Sequence, residues 1–117
     1  MKHKHSHRTL GRSADQRRKL LQGLSASLLE HRSVVTTAAR AKELRRFFEP
    51  LVTEAKREVT LHRRRQLLRK LRRKGDLLLL LDMAKMHRDR PGGYLRITRL
   101  PTGRGDAAAL VRVDMVE

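Results

Sequence analysis

The sequence predicts an α+β domain of two layers. A helix, a strand, three or four further helices and two final strands would lay a small three-stranded sheet against helices on one face, behind an extended basic N-terminal tail. Three observations carry this. Helix-start signals precede apolar residues spaced three and four apart, a short β-branched run lies between the first two helical patterns, and two alternating segments close the chain around a Gly-rich connection. The division that follows is a tail over 1–12 and one compact domain over 13–117.

The elements can be justified in order. Ser13-Ala-Asp-Gln16 is a capping box, with Asp15 placed well for the helix dipole. Leu20, Leu21, Leu24, Leu28 and Leu29 then form one stripe, so a helix should run to about Glu30. Ser33-Val-Val-Thr-Thr37 reads as a strand and Thr37 as the cap of the next helix. That helix shows Ala38, Ala41, Leu44, Phe48, Leu51, Val52 and Ala55 on one face. Pro50 should bend it without ending it before about Glu58. A helix from Thr60 should stop at a left-handed Gly75, and Asp76 should cap another from Leu77 to about His87. The leucine run of that last helix predicts burial. Pro91-Gly92-Gly93 is a break. Tyr94–Leu100 and Ala109–Val116 alternate as strands around Pro101–Asp106, which predicts an antiparallel hairpin.

Charge narrows the function. The 117 residues hold 29 Lys+Arg against 12 Asp+Glu, a formal net charge of +17. Such self-repulsion is relieved by a polyanion, and nucleic acid is the commonest one. There is no Cys, which excludes disulfides and thiolate metal sites. The longest apolar run, Leu77–Leu81, is far short of the ~20 residues a membrane span needs. The basic start lacks the apolar region of a secretory signal, so a cytoplasmic protein is expected. No phosphate loop, zinc-protease helix or nucleophile elbow is present, which argues against an enzyme and against a cofactor or small-molecule substrate.

The bases cluster. Within His62–Asp76, eight of fifteen residues are Lys or Arg, and Leu67, Leu68 and Leu71 are its apolar anchors. Like charges at helical spacing oppose helix formation by a few tenths of a kcal/mol per pair. A phosphate backbone on that face reverses the sign. His3, His5 and His7 in the tail lack a carboxylate or Cys partner for a metal, and a tail that orders on RNA is the better reading. Arg104-Gly-Asp106 spells an adhesion tripeptide with nothing extracellular around it; a tight loop with Arg104 at its tip is expected instead. With only three aromatic residues, the chain should recognise folded RNA by shape and backbone rather than by stacking on splayed bases.

Met1-Lys-His-Lys4, Leu10-Gly-Arg12, Thr36-Thr-Ala-Ala-Arg-Ala-Lys-Glu-Leu-Arg46, Glu49-Pro-Leu-Val-Thr-Glu-Ala-Lys56, Arg90-Pro-Gly-Gly-Tyr94 and Arg104-Gly-Asp-Ala107 occur in this order. Together they resemble the bacterial large-subunit ribosomal protein family L-seventeen, over almost the whole chain. The resemblance implies a structural constituent of the large subunit, without turnover, on the exit side of the peptide tunnel. Its partners would be the large-subunit (23S) rRNA and neighbouring large-subunit ribosomal proteins. The alternative of another class is a histone-like DNA-compacting protein, which rests on charge alone and lacks a wedge residue on a two-stranded arm.

The candidate rRNA contacts are Lys2, His3, Lys4, His5, Arg8 and Arg12 on the tail, then Arg17, Arg18 and Lys19 on the first helix. Lys42, Arg45 and Arg46 follow on the second helix. Arg63, Arg64, Arg65, Arg69, Lys70, Arg72, Arg73 and Lys74 form the dense cluster, and Arg90, Tyr94, Arg96 and Arg104 complete the expected surface. Most should touch phosphate or sugar.

Overall fold

The computed structural model describes residues 13–101 and 109–116. The order is α1 (Ala14–His31), β1 (Ser33–Thr37), α2 (Ala38–Lys56), α3 (Leu61–Lys70), α4 (Lys74–Met86), β2 (Leu95–Arg99) and β3 (Leu110–Met115). The predicted α+β order is therefore present. The capping box at α1 forms as read: the Gln16 amide donates to Ser13 Oγ at 3.3 Å, and the Gln16 side chain accepts from the Ser13 amide. At α2 and α3 the hydroxyls of Thr37 and Thr60 accept from the Arg40 and Arg63 amides, without the reciprocal bond. At the far end of α1, Arg32 turns left-handed with φ 64° and donates its amide to the Leu28 carbonyl at 2.7 Å.

The three strands form one antiparallel sheet in the order β1-β3-β2, so the last strand in sequence is the central one. Register sets Val34, Val113 and Ile97 in one row on the inward face. The next row, Val35, Arg112 and Thr98, faces away from the helices. Helix α2 touches every other element. Its Leu44, Phe48, Leu51 and Val52 are buried at the centre, with Leu28 of α1, Leu80 of α4 and Val113 of β3. Pro50 and Arg46, whose carbonyl it leaves without a helical amide partner, both lie on the exposed side of an unbroken α2.

Two expectations need correction. First, α3 does not reach Gly75. It ends at Lys70, where Leu71 adopts an extended backbone yet stays buried, and α4 begins at Lys74 with Gly75 in its first turn. Among the described residues the one left-handed glycine is Gly93, in the turn before β2 and away from the helix ends. A longer α3 would have stacked Arg69, Arg72 and Arg73 with no acid between them. The break also swings Leu77 and Leu80 into the core. Asp76 is therefore not a cap: it lies buried in the first turn of α4, with Oδ1 3.5 Å from Arg73 Nη2 and no donor on Oδ2 among the described residues. Second, the leucine run is only partly buried. Five successive leucines sweep the whole helix circumference, while the core occupies one side. Leu77 and Leu80 are inside, and Leu78 and Leu79 are 61% and 40% exposed.

Candidate nucleic-acid interface

The bases of α1, α2 and α3 converge although they are far apart in sequence. The first half of α1, the middle of α2 and the end of α3 enclose a groove of about 630 Å³. Leu21, Phe47, Pro50 and Leu51 floor it, and Arg17, Arg18, Arg46, Arg69 and Lys70 line its rim. Arg46, Pro50 and Lys70 also border a second concavity that runs to Arg45 and the Gly92-Gly93 turn. A third, along α3, shares Arg69 and Lys70 and adds Arg63. These surfaces are contiguous, so one basic band runs from the start of α1 across α2 to the turn before β2.

Charge pairing differs along the band. Arg18 meets Asp15 at 2.9 Å and Arg46 meets Glu43 at 3.8 Å. Arg18 and Asp15 are both exposed, and such a pair contributes roughly 0–1 kcal/mol, which a phosphate can readily displace. On α3, Arg63 reaches Glu54 at 3.5 Å and also donates to the Glu58 carbonyl. Arg64, Arg65, Arg69 and Lys70 are exposed and have no acid partner among the described residues. A polyanion laid along this helix gains charge neutralisation without having to break ion pairs.

Not every candidate belongs to the band. Arg72, Arg73 and Lys74 lie at the α3–α4 joint, where Arg73 is engaged by Glu30 and Asp76, each at 3.5 Å. Lys19 and Lys42 are exposed on α1 and α2. Arg96 lies in register with Asp114, on the sheet face away from the helices. Lys2, His3, Lys4, His5, Arg8, Arg12 and Arg104 lie outside the described residues, as do the histidine triplet and the Arg104-Gly-Asp106 loop.

Tyr94 is the clear departure from the expected surface. It is 1% exposed and serves the interior. Its hydroxyl accepts from Lys56 Nζ at 2.8 Å and lies 3.4 Å from Thr53 Oγ1, and its ring meets His87 edge-on at 5.6 Å between centroids. Burial pushes the Tyr94 phenol up, but its hydrogen bonds with Lys56 and Thr53 and the Lys56 charge outweigh it and hold the group below its ordinary value. Burial lowers the His87 pKa, and the charges of Arg90 and Lys56 lower it further. Lys56 also donates to the Arg90 carbonyl. One turn earlier on α2, Glu49 Oε2 accepts from the Tyr94 amide at 2.6 Å and the Leu95 amide at 3.4 Å, while Arg45 donates to the Leu95 carbonyl at 3.3 Å. Arg45, Glu49, Thr53 and Lys56 thus form one helical stripe that fastens the 90–95 segment and holds the Gly92-Gly93 end of the band in place. This latch was missed from the sequence; the i, i+4, i+8 and i+11 spacing of these polar residues on α2 was its signal. Arg112, exposed beside Asp114 at 2.9 Å, was also missed, although strand alternation placed it outward.

Among the described residues no cluster of His, Asp and Glu could hold a metal ion, and no helix is long and apolar enough to cross a membrane. Comparison with known proteins gives a consistent picture. A protein 42% identical over 118 residues, from Salinibacter ruber, bears the name "Large ribosomal subunit protein bL17"; the alignment takes in all of this chain and 59% of that protein's length. Proteins of the same name are 40% identical over 119 residues in a Wolbachia strain (wRi) and over 118 residues in Syntrophotalea carbinolica, with 84% and 76% of those proteins covered. The profile described as "Ribosomal protein L17" matches residues 20–116, a span that holds α2, the latch, all three strands and the α2 and α3 part of the basic band, so the chain belongs to that ribosomal protein family.

Proposed function

We propose that this protein is a structural constituent of the large ribosomal subunit that binds and stabilises folded 23S rRNA and catalyses no reaction. Its basic tail and the band over α1, α2 and α3 would make the contacts, in the cytoplasmic ribosome and on the exit side of the peptide tunnel. Neighbouring ribosomal proteins would be its secondary partners. The observation that carries this reading is the basic band, in which α3 exposes four bases with no acid partner among the described residues. Such contacts position a protein on RNA without reading its sequence. If about ten phosphates are neutralised, log affinity should fall against log salt with a slope of roughly −7 to −9.

Sedimentation of lysate from bacteria carrying the tagged protein tests the reading. Co-migration with the large subunit that survives a high-salt wash and is lost after RNase is the expected result. A protein that stays at the top of the gradient, or that pellets with DNase-sensitive material, would refute it.

A further inference from the structure

The outer face of α4 groups three of the six large apolar side chains that are exposed among the described residues. Leu78, Leu79 and Met86 are 61%, 40% and 56% exposed, and they share one side of the helix with exposed Asp82. Large apolar side chains grouped on a small, highly charged protein mark a contact surface. Leu79, Asp82 and Met86 also line a groove of about 440 Å³ between α4, the end of α1 and the end of the sheet. Three acids border it: Glu30, Asp82 and Asp114. Arg32 and His31 are the exposed basic groups on its wall. Glu30 is held by Arg73 and Asp114 by Arg112, whereas Asp82 has no cation among the described residues.

We infer that this face docks a cationic segment of a neighbouring large-subunit protein, one that pairs a Lys or Arg with Asp82 and lays apolar side chains on Leu78, Leu79 and Met86. The inference rests on the large-subunit reading above and adds the place and chemistry of one protein contact. Charge argues against the other occupants. An RNA backbone would meet the unpaired Asp82 carboxylate and an apolar strip that offers it few donors. A second copy would bring another +17 against the first. The chain's own tail has Leu10 as its one large apolar residue besides Met1. Leu10 lies four residues before α1, a reach of about 14 Å, while the 18 residues of α1 place the groove about 27 Å from its start.

Photo-crosslinking in intact subunits tests this. A benzophenone amino acid replaces Leu79 in one full-length variant and Arg65 on α3 in another. Large subunits carrying each are washed in high salt and irradiated, and the adducts are mapped by mass spectrometry. The Leu79 probe should attach to a Lys/Arg-bearing peptide of another large-subunit protein, and the Arg65 probe to rRNA. Adducts from Leu79 to rRNA alone, to a second copy or to residues 1–12 overturn the inference, as does no adduct while Arg65 still labels RNA. If neither variant enters the subunit, the proposed function itself fails. Adding Asp82→Lys, at an exposed position that the fold does not need, should cut the Leu79 adduct about tenfold. An unchanged yield would remove the charge argument and overturn the inference.

Discussion

Helices α3 and α4 are separated by three residues and have opposite surfaces. The first buries Leu67 along a narrow seam and turns bases outward. The second buries Asp76, Leu77, Leu80, Met83 and Ala84 and still has leucines to spare on its outer side. The difference shows how two requirements are divided in a small basic protein. α4, with α2 behind it, holds the core together. α3 carries the charge, and alone it is opposed by its own repulsion. Its edges are tied lightly, by Gln22 Nε2 to the Arg69 carbonyl at 3.5 Å and by Arg63 to Glu54 and to the Glu58 carbonyl. α3 is therefore the element whose stability depends most on a bound polyanion.

The sharpest way to break this contrast is to truncate the two anchors. Leu80→Ala on α4 should cost about 3–5 kcal/mol in urea unfolding, and Leu67→Ala on α3 less, about 2–3 kcal/mol. Leu78→Ala, on the same helix as Leu80 but exposed, should change stability by less than about 0.5 kcal/mol. Equal costs at positions 67 and 80 would mean that α3 is core after all.

The latch comes next. Glu49→Ala removes the acceptor of two amides and should cost about 1.5–3 kcal/mol. Hydrogen exchange should quicken at Tyr94 and Leu95 while α3 is unaffected, which would separate the fastened turn before β2 from the lightly held α3. Salt should act in the opposite place. Raising ionic strength screens the repulsion on α3, by roughly 0.2–0.5 kcal/mol per like-charged pair, so its amides should exchange more slowly while those of α4 stay unchanged. The same salt should weaken RNA binding.

The smallest expected effect belongs to the C-cap of α4. The folded His87 pKa lies below the usual 6.5, so on acidification the unfolded chain takes up this proton first. The stability His87 contributes is complete above that usual value and is lost as pH falls through it. The urea midpoint should therefore decline as pH falls below about 6.5, and His87→Gln should flatten that decline. An identical slope in the variant would assign the acid loss to other groups.

Much of this was legible in the sequence, for local reasons. Ser13 with Gln16, Thr37 and Thr60 act within one turn, so their spacing alone announces three helix starts. Val34, Thr36, Val111 and Val113 alternate because a pleated strand leaves them no other arrangement. The basic band was legible residue by residue, since arginines without nearby acids stand out in any window. What escaped depends on direction in space. Nothing local says that Leu71 will leave the helix and stay buried, or which two of five leucines will face outward. Tyr94 looked like a surface aromatic beside two glycines, and only the approach of α2 with Glu49, Thr53 and Lys56 draws it inside.

The strand order β1-β3-β2 has a consequence for how the protein is made. Thr37 finds its partner Leu110 only after about 70 further residues have been added, which takes roughly 4–15 s at about 5–20 residues per second. Until then β1 has no neighbour and the sheet cannot close. For those seconds the nascent chain already displays α1, α2 and α3 with their arginines but has no finished fold behind them. If it binds RNA as proposed, that encounter can begin before folding ends, and a truncation that removes β3 would leave a sticky cation instead of a smaller version of the same protein.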